Sequence, residues 1–142
     1  MSPQTTSQFE RWGFLPLRTV VAVVFLMHGG QKVIYFGVSG VADMLTKLGF
    51  PLAAFFAVVL MTIEVAGGLA ILFGFMTRAA GLILAVEMAI AIYVARLGGG
   101  FFTPYGFEFE MTLMGACLTF AAVGAGGVSI DAVRRARRKS MP

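Results

Sequence analysis

Long apolar segments dominate the chain, and polar residues interrupt them only at isolated positions. Four such segments are visible, at about 14–36, 51–75, 78–97 and 109–127. A helix needs about 20 mainly apolar residues to cross a bilayer. Residues 111–130 form a charge-free run of that length, whereas Glu64 interrupts the second segment and Glu87 interrupts the third. The pattern predicts an all-α membrane protein: one domain over residues 1–142, folded as a bundle of four transmembrane helices.

The composition supports a chain surrounded by lipid. Hydrophobic residues make up 58% of the 142 residues and charged residues 13%, whereas soluble domains carry about a quarter charged residues. A soluble globular enzyme and a disordered chain are therefore excluded. A disulfide scaffold is excluded as well, because Cys117 is the single cysteine. No cleavage motif follows the first apolar segment, which we interpret as a retained helix rather than a signal peptide.

The distribution of basic residues predicts the orientation. Four spans place both termini on one side of the membrane, and that side would carry eight basic residues: Arg11, Arg18, Arg78, Arg134, Arg135, Arg137, Arg138 and Lys139. The other side would carry only Lys32, Lys47 and Arg96. Positive residues are enriched in cytoplasmic segments, so we expect both termini in the cytoplasm. The basic tail, residues 131–142, is then explained by anionic lipid rather than by nucleic acid.

Four polar residues share one stripe of the first predicted helix. His28, Gln31, Lys32 and Tyr35 follow the spacing i, i+3, i+4, i+7. In a membrane helix this spacing points to a polar surface that faces other protein groups. Since His28 is the only histidine of the chain, a bis-histidine haem site within one protomer is excluded. No ligand spacing supports a metal site, and no flavin, haem or iron–sulfur signature occurs.

Two carboxylates are predicted near the centres of membrane helices. A charge at that depth costs about 2.5–3.5 kcal/mol on insertion scales, so Glu64 and Glu87 should face inward and converge with the polar stripe of the first helix. They could act in function or only hold helices together by hydrogen bonds. Gly67 and Gly68 follow Glu64 by about one turn, and small residues there allow close helix packing.

Several motifs, taken together and in order, resemble one family. They are FLMHGGQKVIYFG at 25–37, LGFP at 48–51, EVAGGLAILFGFMTRAAG at 64–81, GFF at 100–102, GFE at 106–108 and GAGGVSID at 124–131. The combination resembles the DoxX family of small four-helix bacterial membrane proteins. The resemblance implies a multi-pass protein of the bacterial inner membrane. Family members are commonly named as oxidoreductases, after a subunit of a thiosulfate:quinone oxidoreductase.

The resemblance also carries residues over to this chain. The matched motif positions are His28, Gly29, Gln31, Lys32, Glu64, Gly67, Gly68, Thr77, Arg78 and Glu108. Two positions depart from the family pattern. Arg96 stands where many relatives have histidine, and Ala125 replaces a frequent proline. We expect Arg96 to neutralise Glu108 across the outer loop.

Three functions remain open at this point. The first is a redox component that binds a quinone and acts with membrane or soluble partner subunits. In that hypothesis the catalytic residues are His28, Glu64 and Glu87, and the quinone-binding residues are Gln31, Lys32, Tyr35, Arg96 and Glu108. The second is a small dimeric proton-coupled transporter, and the third is a non-catalytic assembly subunit. A homo-oligomer is compatible with each of them.

Overall fold

The computed structural model describes residues 12–140, and within this range the chain is helical with no β-strand. The helices are α1 (Phe14–Gln31), α2 (Gly37–Lys47), α3 (Ala53–Phe73), α4 (Thr77–Ala91), α5 (Glu108–Val123) and α6 (Ile130–Lys139). A π-helical turn, Lys32–Phe36, joins α1 to α2, and a second one, Ile92–Arg96, extends α4 into a short 3₁₀ turn. Three helical stretches of the described residues are long and apolar enough to span a membrane: Phe14–Lys47, Ala53–Phe73 and Thr77–Gly99. The prediction of an all-helical membrane fold is thereby confirmed.

The first helical stretch is longer than the sequence pattern predicts. It continues to Lys47, and a straight helix of this length would measure about 51 Å against a hydrocarbon core of about 30 Å. Gly37 interrupts it with a φ of 62°. Beyond this break, Val41 and Leu45 of α2 pack against Ala57 and Met61 of α3. Burial of that apolar face stabilises a helix where the sequence predicted a loop.

Asp43 and Lys47 lie between the first two apolar segments, where we expect a connecting loop from the sequence, and that expectation is wrong. Both residues belong to α2, and their side chains are on its exposed face. They lie on the polar side of an amphipathic helix. Their charges alone would assign this segment to a loop between two helices.

Close packing of α1, α3, α4 and α5 depends on small residues. A Cβ atom added to Gly68 would lie 3.0 Å from Cγ of Leu26 and 3.3 Å from the backbone nitrogen of that residue. A Cβ atom on Gly81 would lie 2.7 Å from the carbonyl oxygen of Cys117. The backbones of α1 and α3, and those of α4 and α5, thus approach each other where side chains are missing. This confirms the packing role predicted for the glycine pair that follows Glu64.

The fourth predicted span corresponds to α5, which is shorter than expected. It contains 16 residues, Glu108–Val123, and measures about 24 Å, whereas the sequence pattern predicted a helix over 109–127. Gly124 ends it with a φ of 87°. The residues that follow form a loop instead, because their carbonyl groups are bound by an arginine of α1.

That arginine is Arg18, which is 2% exposed. Its Nε donates to the carbonyl of Ile71 at 2.9 Å, and its Nη2 donates to Leu72 at 2.6 Å. Its Nη1 donates to Ala125 at 2.9 Å and to Val128 at 2.7 Å. The last carbonyls of a helix have no partner within the helix, so Arg18 caps α3 and fixes the loop after α5. From the sequence, Arg18 served only to predict the orientation of the chain in the membrane. Arg11, used in the same way, lies outside the described residues.

The corner between α3 and α4 is closed by the start of α6. Asp131 accepts hydrogen bonds from the backbone N–H of Met76 at 2.9 Å and of Thr77 at 3.0 Å. Its own N–H donates to the carbonyl of Gly74 at 2.9 Å, and Ser129 caps α6 by accepting from the N–H of Ala132. The basic tail is therefore helical as far as Lys139, and the first turn of this helix also caps α4.

The Asp131 cap should make stability depend on pH. Partial burial acts to raise the pKa of Asp131, but hydrogen bonds from the N–H groups of Thr77 and Met76 outweigh it and hold the pKa below the ordinary value of 3.8. A carboxyl group with a lowered folded-state pKa stabilises the fold above pH 3.8. That contribution is lost as the pH falls through the folded-state pKa. We expect Asp131→Asn to lower the melting temperature in detergent at pH 7.

The same measurement at acidic pH provides the internal check. The melting temperatures of the wild type and Asp131→Asn should converge as the pH falls through the folded-state pKa of Asp131, because the wild-type carboxyl group then becomes neutral as well. Asp43→Asn, a change on the exposed face of α2, should follow the wild type at every pH. A gap between wild type and Asp131→Asn that stays constant throughout this fall in pH would contradict the assignment.

Candidate functional site: a buried charge cluster

Three ionisable side chains from three helices meet inside the bundle. Lys32, at the end of α1, donates to both carboxylate oxygens of Glu64 on α3, at 2.6 and 2.8 Å. Glu87 on α4 lies beside them, although no hydrogen bond joins its carboxyl group to that of Glu64 in the structure. The two glutamates are 4% and 7% exposed. Lys32, Glu64 and Glu87 form what we call the buried charge cluster.

A small residue of α1 brings the cluster together. Gly29 faces α3 so closely that an added Cβ would lie 3.0 Å from Cβ of Glu64 and 2.8 Å from Cγ2 of Val65. Lys32 is one helical turn further along and lies on the same face. The π-helical turn begins at this lysine, and single π-turns within helices frequently occur at functional sites.

The cluster contains one more carboxyl group than it has cations. Neither oxygen of Glu87 accepts a hydrogen bond from any donor in the described part of the chain. An ionised carboxylate only accepts hydrogen bonds, so Glu64 and Glu87 can bond to each other only when one of them carries a proton. Lys32 balances one negative charge. The arrangement can therefore hold a proton between two carboxyl groups within the apolar interior.

The other members of the polar stripe do not join the cluster. The side chains of His28, Gln31 and Tyr35 are exposed on the outside of the bundle, and Tyr35 is 80% exposed. The His28 ring lies 5.9 Å from the ring of Phe109, at the start of α5. Since the face that carries Gly29 and Lys32 packs on α3, residues on the neighbouring face point away from it. The expected convergence with Glu64 and Glu87 is thus found for Lys32 alone.

A second ion pair lies at the start of α5, but with a different partner from the one expected. Arg96 Nε donates to Glu110 Oε1 at 2.9 Å. Glu108 instead accepts hydrogen bonds from the backbone N–H and the hydroxyl of Thr103, at 2.8 and 2.7 Å. The expected pairing of Arg96 with Glu108 is therefore wrong. The loop before α5 folds back far enough for Thr103 to donate hydrogen bonds to the exposed Glu108. Arg96 therefore pairs with Glu110, which is the more buried carboxylate.

Glu110 was missed as a site residue, although the sequence contains a signal for it. The buried positions of α5 are Glu110, Leu113, Cys117 and Phe120. Their spacing of three and four residues continues one apolar face back to Glu110. Extending that face toward the helix start identifies Glu110, rather than Glu108, as the carboxylate that points inward.

An apolar groove leads from the side of the bundle to Glu87 of the buried charge cluster, whose two carboxyl oxygens remain buried. It lies between α2, α3 and α4, has a volume of about 460 Å³, and is lined mainly by aliphatic and phenylalanine side chains. Of the described residues that line it, Glu87 alone is ionisable. We call it the lateral groove. The sequence did not predict it because α2, which forms one wall, was interpreted as a loop. Within residues 12–140, no group of three His, Cys, Asp or Glu side chains is placed to hold a metal ion.

Long apolar helices around a small buried set of charges define a helical membrane protein. Residues 13–97 match the family model DoxX. The chain therefore belongs to the DoxX family of membrane proteins, as the sequence motifs indicated. The matched region contains Lys32, Glu64, Glu87 and Arg96, while Glu108 and Glu110 lie beyond it.

Curated relatives cover most of the chain. It is 29% identical to "Putative oxidoreductase CatD" of Bacillus subtilis, over 84% of each chain. It is 29% identical to "Inner membrane protein YqjF" of Escherichia coli, over 87% of this chain and 93% of the relative. An uncharacterized protein of Haemophilus influenzae is 33% identical over 81% of this chain and 85% of its own length. No solved structure matches the chain.

Proposed function

We propose that this protein is a quinone-linked redox component of the bacterial inner membrane that acts together with partner subunits. The observation that carries the proposal is the buried charge cluster, in which Glu87 has no hydrogen-bond donor and lies at the lateral groove. Reduction or oxidation of a quinone moves two electrons and two protons. A site for it needs an apolar slot beside groups that exchange protons, and the described residues fit that need. The printed names of the B. subtilis and E. coli relatives, "Putative oxidoreductase CatD" and "Inner membrane protein YqjF", agree with this proposal.

Each residue of the cluster has a distinct task in this proposal. A bound quinone supplies the electron-transfer chemistry. Glu87 exchanges a proton with the head group, and Glu64 receives or returns it across the carboxyl pair. Lys32 positions Glu64 and balances its charge. The electrons pass to or from a redox-active partner subunit.

The exposed polar stripe is the surface that we assign to the partner subunit. His28, Gln31 and Tyr35 lie on the outside of the bundle. Polar side chains at membrane depth are costly unless they meet polar groups of a neighbour. A partner helix packed against α1 would satisfy them.

We further propose that α5 crosses the membrane as a fourth span and that both termini are cytoplasmic. The support is the charge of α6, which presents Arg134, Arg135, Arg137 and Arg138 at an exposed surface. Such a concentration of positive charge favours the cytoplasmic side. A cysteine introduced at Ser140 should react with an impermeant thiol reagent in inverted membrane vesicles but not in intact spheroplasts. The native Cys117 is buried and should stay unlabelled in both.

The redox proposal predicts a specific effect of one carboxyl group. We expect mass spectrometry to find about one ubiquinone or menaquinone per chain after purification in mild detergent. In the complex isolated with its partners, Glu87→Gln should slow the turnover of a short-chain quinone at least 100-fold, because general acid–base catalysis contributes at least that factor. The quinone content should remain unchanged. Asp43→Asn, which removes an exposed carboxylate of α2, should leave both quantities at wild-type levels.

Two results would overturn the redox proposal. One is the absence of co-purified quinone together with no binding of added quinone. The other is quinone turnover that Glu87→Gln leaves unchanged. If quinone binding is absent and the protein in liposomes carries out a proton-coupled transport that Glu64→Gln abolishes, the transporter hypothesis replaces it.

A further inference from the structure

We propose that the cleft between α6 and the adjoining ends of α1 and α3 binds one anionic phospholipid, with its phosphate held by Arg134 and Arg137 and an acyl chain lying along Phe73. We call it the tail cleft. The inference goes beyond the redox proposal and does not depend on it. It gives the contact with anionic lipid, expected from the basic tail, a defined place and defined residues. Three features carry it: the apolar wall of the cleft, its position at the edge of the membrane, and the arginines at its rim.

One wall of the tail cleft is apolar and open to a ligand. The cleft has a volume of about 670 Å³, within the range of about 300–1,000 Å³ that is usual for small-molecule sites. Leu15 of α1, Phe73 of α3 and Val133 of α6 are among the apolar side chains that line it. Phe73 is 57% exposed and Val133 is 55% exposed, so a ligand in the cleft can contact them. Such a wall suits hydrocarbon.

The cleft lies where two membrane-spanning stretches begin or end. Phe73 is the last residue of the stretch Ala53–Phe73, and Leu15 is the second residue of the stretch Phe14–Lys47. The hydrocarbon core of a bilayer gives way to the head groups at the ends of such stretches. The apolar wall therefore lies at the depth of the upper acyl chains, and the polar rim of the cleft lies at the depth of the phosphates.

The rim of the cleft presents two guanidinium groups that can meet one phosphate. Arg134 and Arg137 both line the cleft and are both exposed. Residues three positions apart lie on the same side of a helix, with about 5–6 Å between their Cβ atoms. A guanidinium donates two parallel hydrogen bonds to phosphate oxygens. Cζ of Arg134 also lies 5.2 Å from the ring centroid of Phe75, and this cation–π contact holds the guanidinium beside the cleft.

The positive charge around the cleft is largely uncompensated. Three further arginines line a neighbouring cleft at the start of α4, which shares Arg134 with the tail cleft: Arg78, Arg135 and Arg138. Within residues 12–140, the two ion pairs are those of Lys32 with Glu64 and of Arg96 with Glu110, and neither includes these arginines. Asp131 also lies here, but its carboxylate already accepts two backbone hydrogen bonds. A bound anion would reduce the repulsion among the arginines.

The wall and the rim together select one class of ligand. A nucleic acid or an acidic soluble protein would neutralise the arginines but leave Phe73 and Val133 uncovered. A zwitterionic phospholipid has the chain and the phosphate, but its ammonium group adds positive charge beside the arginines. A phospholipid with net negative charge fits both parts of the cleft, and basic pockets between membrane helices bind such head groups in other proteins.

The test compares two lipids that differ in net charge. The purified full chain in a nonionic detergent is titrated with dioleoylphosphatidylglycerol and with dioleoylphosphatidylcholine, which share their acyl chains and their phosphate. Native mass spectrometry measures the complexes. We expect phosphatidylglycerol to bind about 5-fold more tightly or better, since each basic residue near a membrane surface contributes about that factor toward an anionic lipid. Inorganic phosphate at the same concentration should not displace it.

Two neighbouring arginines provide a matched comparison. Arg137→Gln removes one guanidinium from the tail cleft and should weaken the binding of phosphatidylglycerol about 5-fold. Arg138→Gln removes the same charge from an exposed position that does not line this cleft. Its effect should be about 2-fold at most, because a more distant charge is screened.

A second pair of substitutions tests the location without changing the charge. Val133→Trp fills the tail cleft and should weaken the binding of phosphatidylglycerol about 5-fold or more, because the acyl chain loses its place. Val20→Trp is its control, since Val20 is similarly exposed, 62% against 55%, but does not line the cleft. Circular dichroism of each variant checks that it is folded.

Four results would overturn the assignment. Equal affinity for the two lipids removes the selection by charge. Equal losses in Arg137→Gln and Arg138→Gln reduce the contact to a general attraction between the tail and anionic surfaces. Displacement by inorganic phosphate replaces the lipid site with a phosphate site, and full binding by folded Val133→Trp places the lipid elsewhere. None of these results affects the redox proposal, because Lys32 of the buried charge cluster lies at the opposite end of α1 from Leu15.

Discussion

Arg18→Met is expected to unfold the protein at a much lower temperature than any other single change discussed above. The carbonyl groups of Leu72, Ala125 and Val128 would lose their donors at once. The carbonyl of Ile71 would lose its 2.9 Å bond from Arg18 and keep only the 3.2 Å bond from the N–H of Gly74. Each buried acceptor left unpartnered costs about 1–3 kcal/mol. Even with partial relaxation and some entry of water, we expect the free energy of unfolding to fall by about 4 kcal/mol or more.

The loss should come from hydrogen-bond geometry rather than from charge alone. Arg18→Lys keeps the positive charge, but a single ammonium group cannot reach four carbonyls arranged around a planar guanidinium. It should recover only part of the lost stability. Arg138→Met removes an arginine from the exposed surface of α6 and should stay within about 0.5 kcal/mol of the wild type. Unfolding in mixed detergent, followed by circular dichroism, measures all three. A value for Arg18→Met within about 1 kcal/mol of the wild type would contradict the capping role.

The second large effect is expected at the buried charge cluster. Lys32→Met removes the cation that, within residues 12–140, lies beside two buried carboxyl groups, and breaking a buried ion pair in this way costs about 3–5 kcal/mol. Glu64→Gln should cost less, because Glu87 remains close to Lys32 and can balance its charge. The double variant removes both partners and should be more stable than Lys32→Met alone, since a neutral pair requires no compensation.

A double-mutant cycle measures the coupling free energy between Lys32 and Glu64. Lys32→Met, Glu64→Gln and the double variant, measured in the same unfolding assay, should show a coupling free energy of about 1–3 kcal/mol. Purely additive effects, within about 0.5 kcal/mol, would mean that the 2.6 Å contact between Lys32 and Glu64 contributes little to stability. The coupling reports structure alone, so it holds whether or not the redox proposal is correct.

The features that could be predicted from the sequence are those that the bilayer dictates. Apolar length identified the first three spans, because every backbone polar group in hydrocarbon must be satisfied within a helix. The cost of a charge in the membrane predicted that Glu64 and Glu87 face inward. Helical spacing placed Lys32 on a polar face of the first helix. Each of these rules acts within one segment of the chain, where a pattern can be recognised.

The features that could not be predicted depend on contacts between distant segments. Arg18 binds Ala125, which is 107 positions away, and no periodicity encodes a bond to a loop carbonyl. Glu108 and Glu110 are two residues apart, but that step turns the side chain by about 200° around the helix. Only packing against the rest of the bundle decides which of the two meets Arg96.

The cap that Asp131 provides has a consequence for the order of events during synthesis. The acceptor for the N–H groups of Met76 and Thr77 lies more than 50 residues later in the chain. The carbonyl of Val128, which Arg18 binds, lies still further from its donor in sequence. Helices α1, α3 and α4 must therefore emerge from the ribosome before the corner between α3 and α4 can be closed. Until then, a translocon, a chaperone or bound water has to supply the missing partners. The bundle should gain its full resistance to membrane proteases only once Asp131 has left the ribosome and reached the corner between α3 and α4.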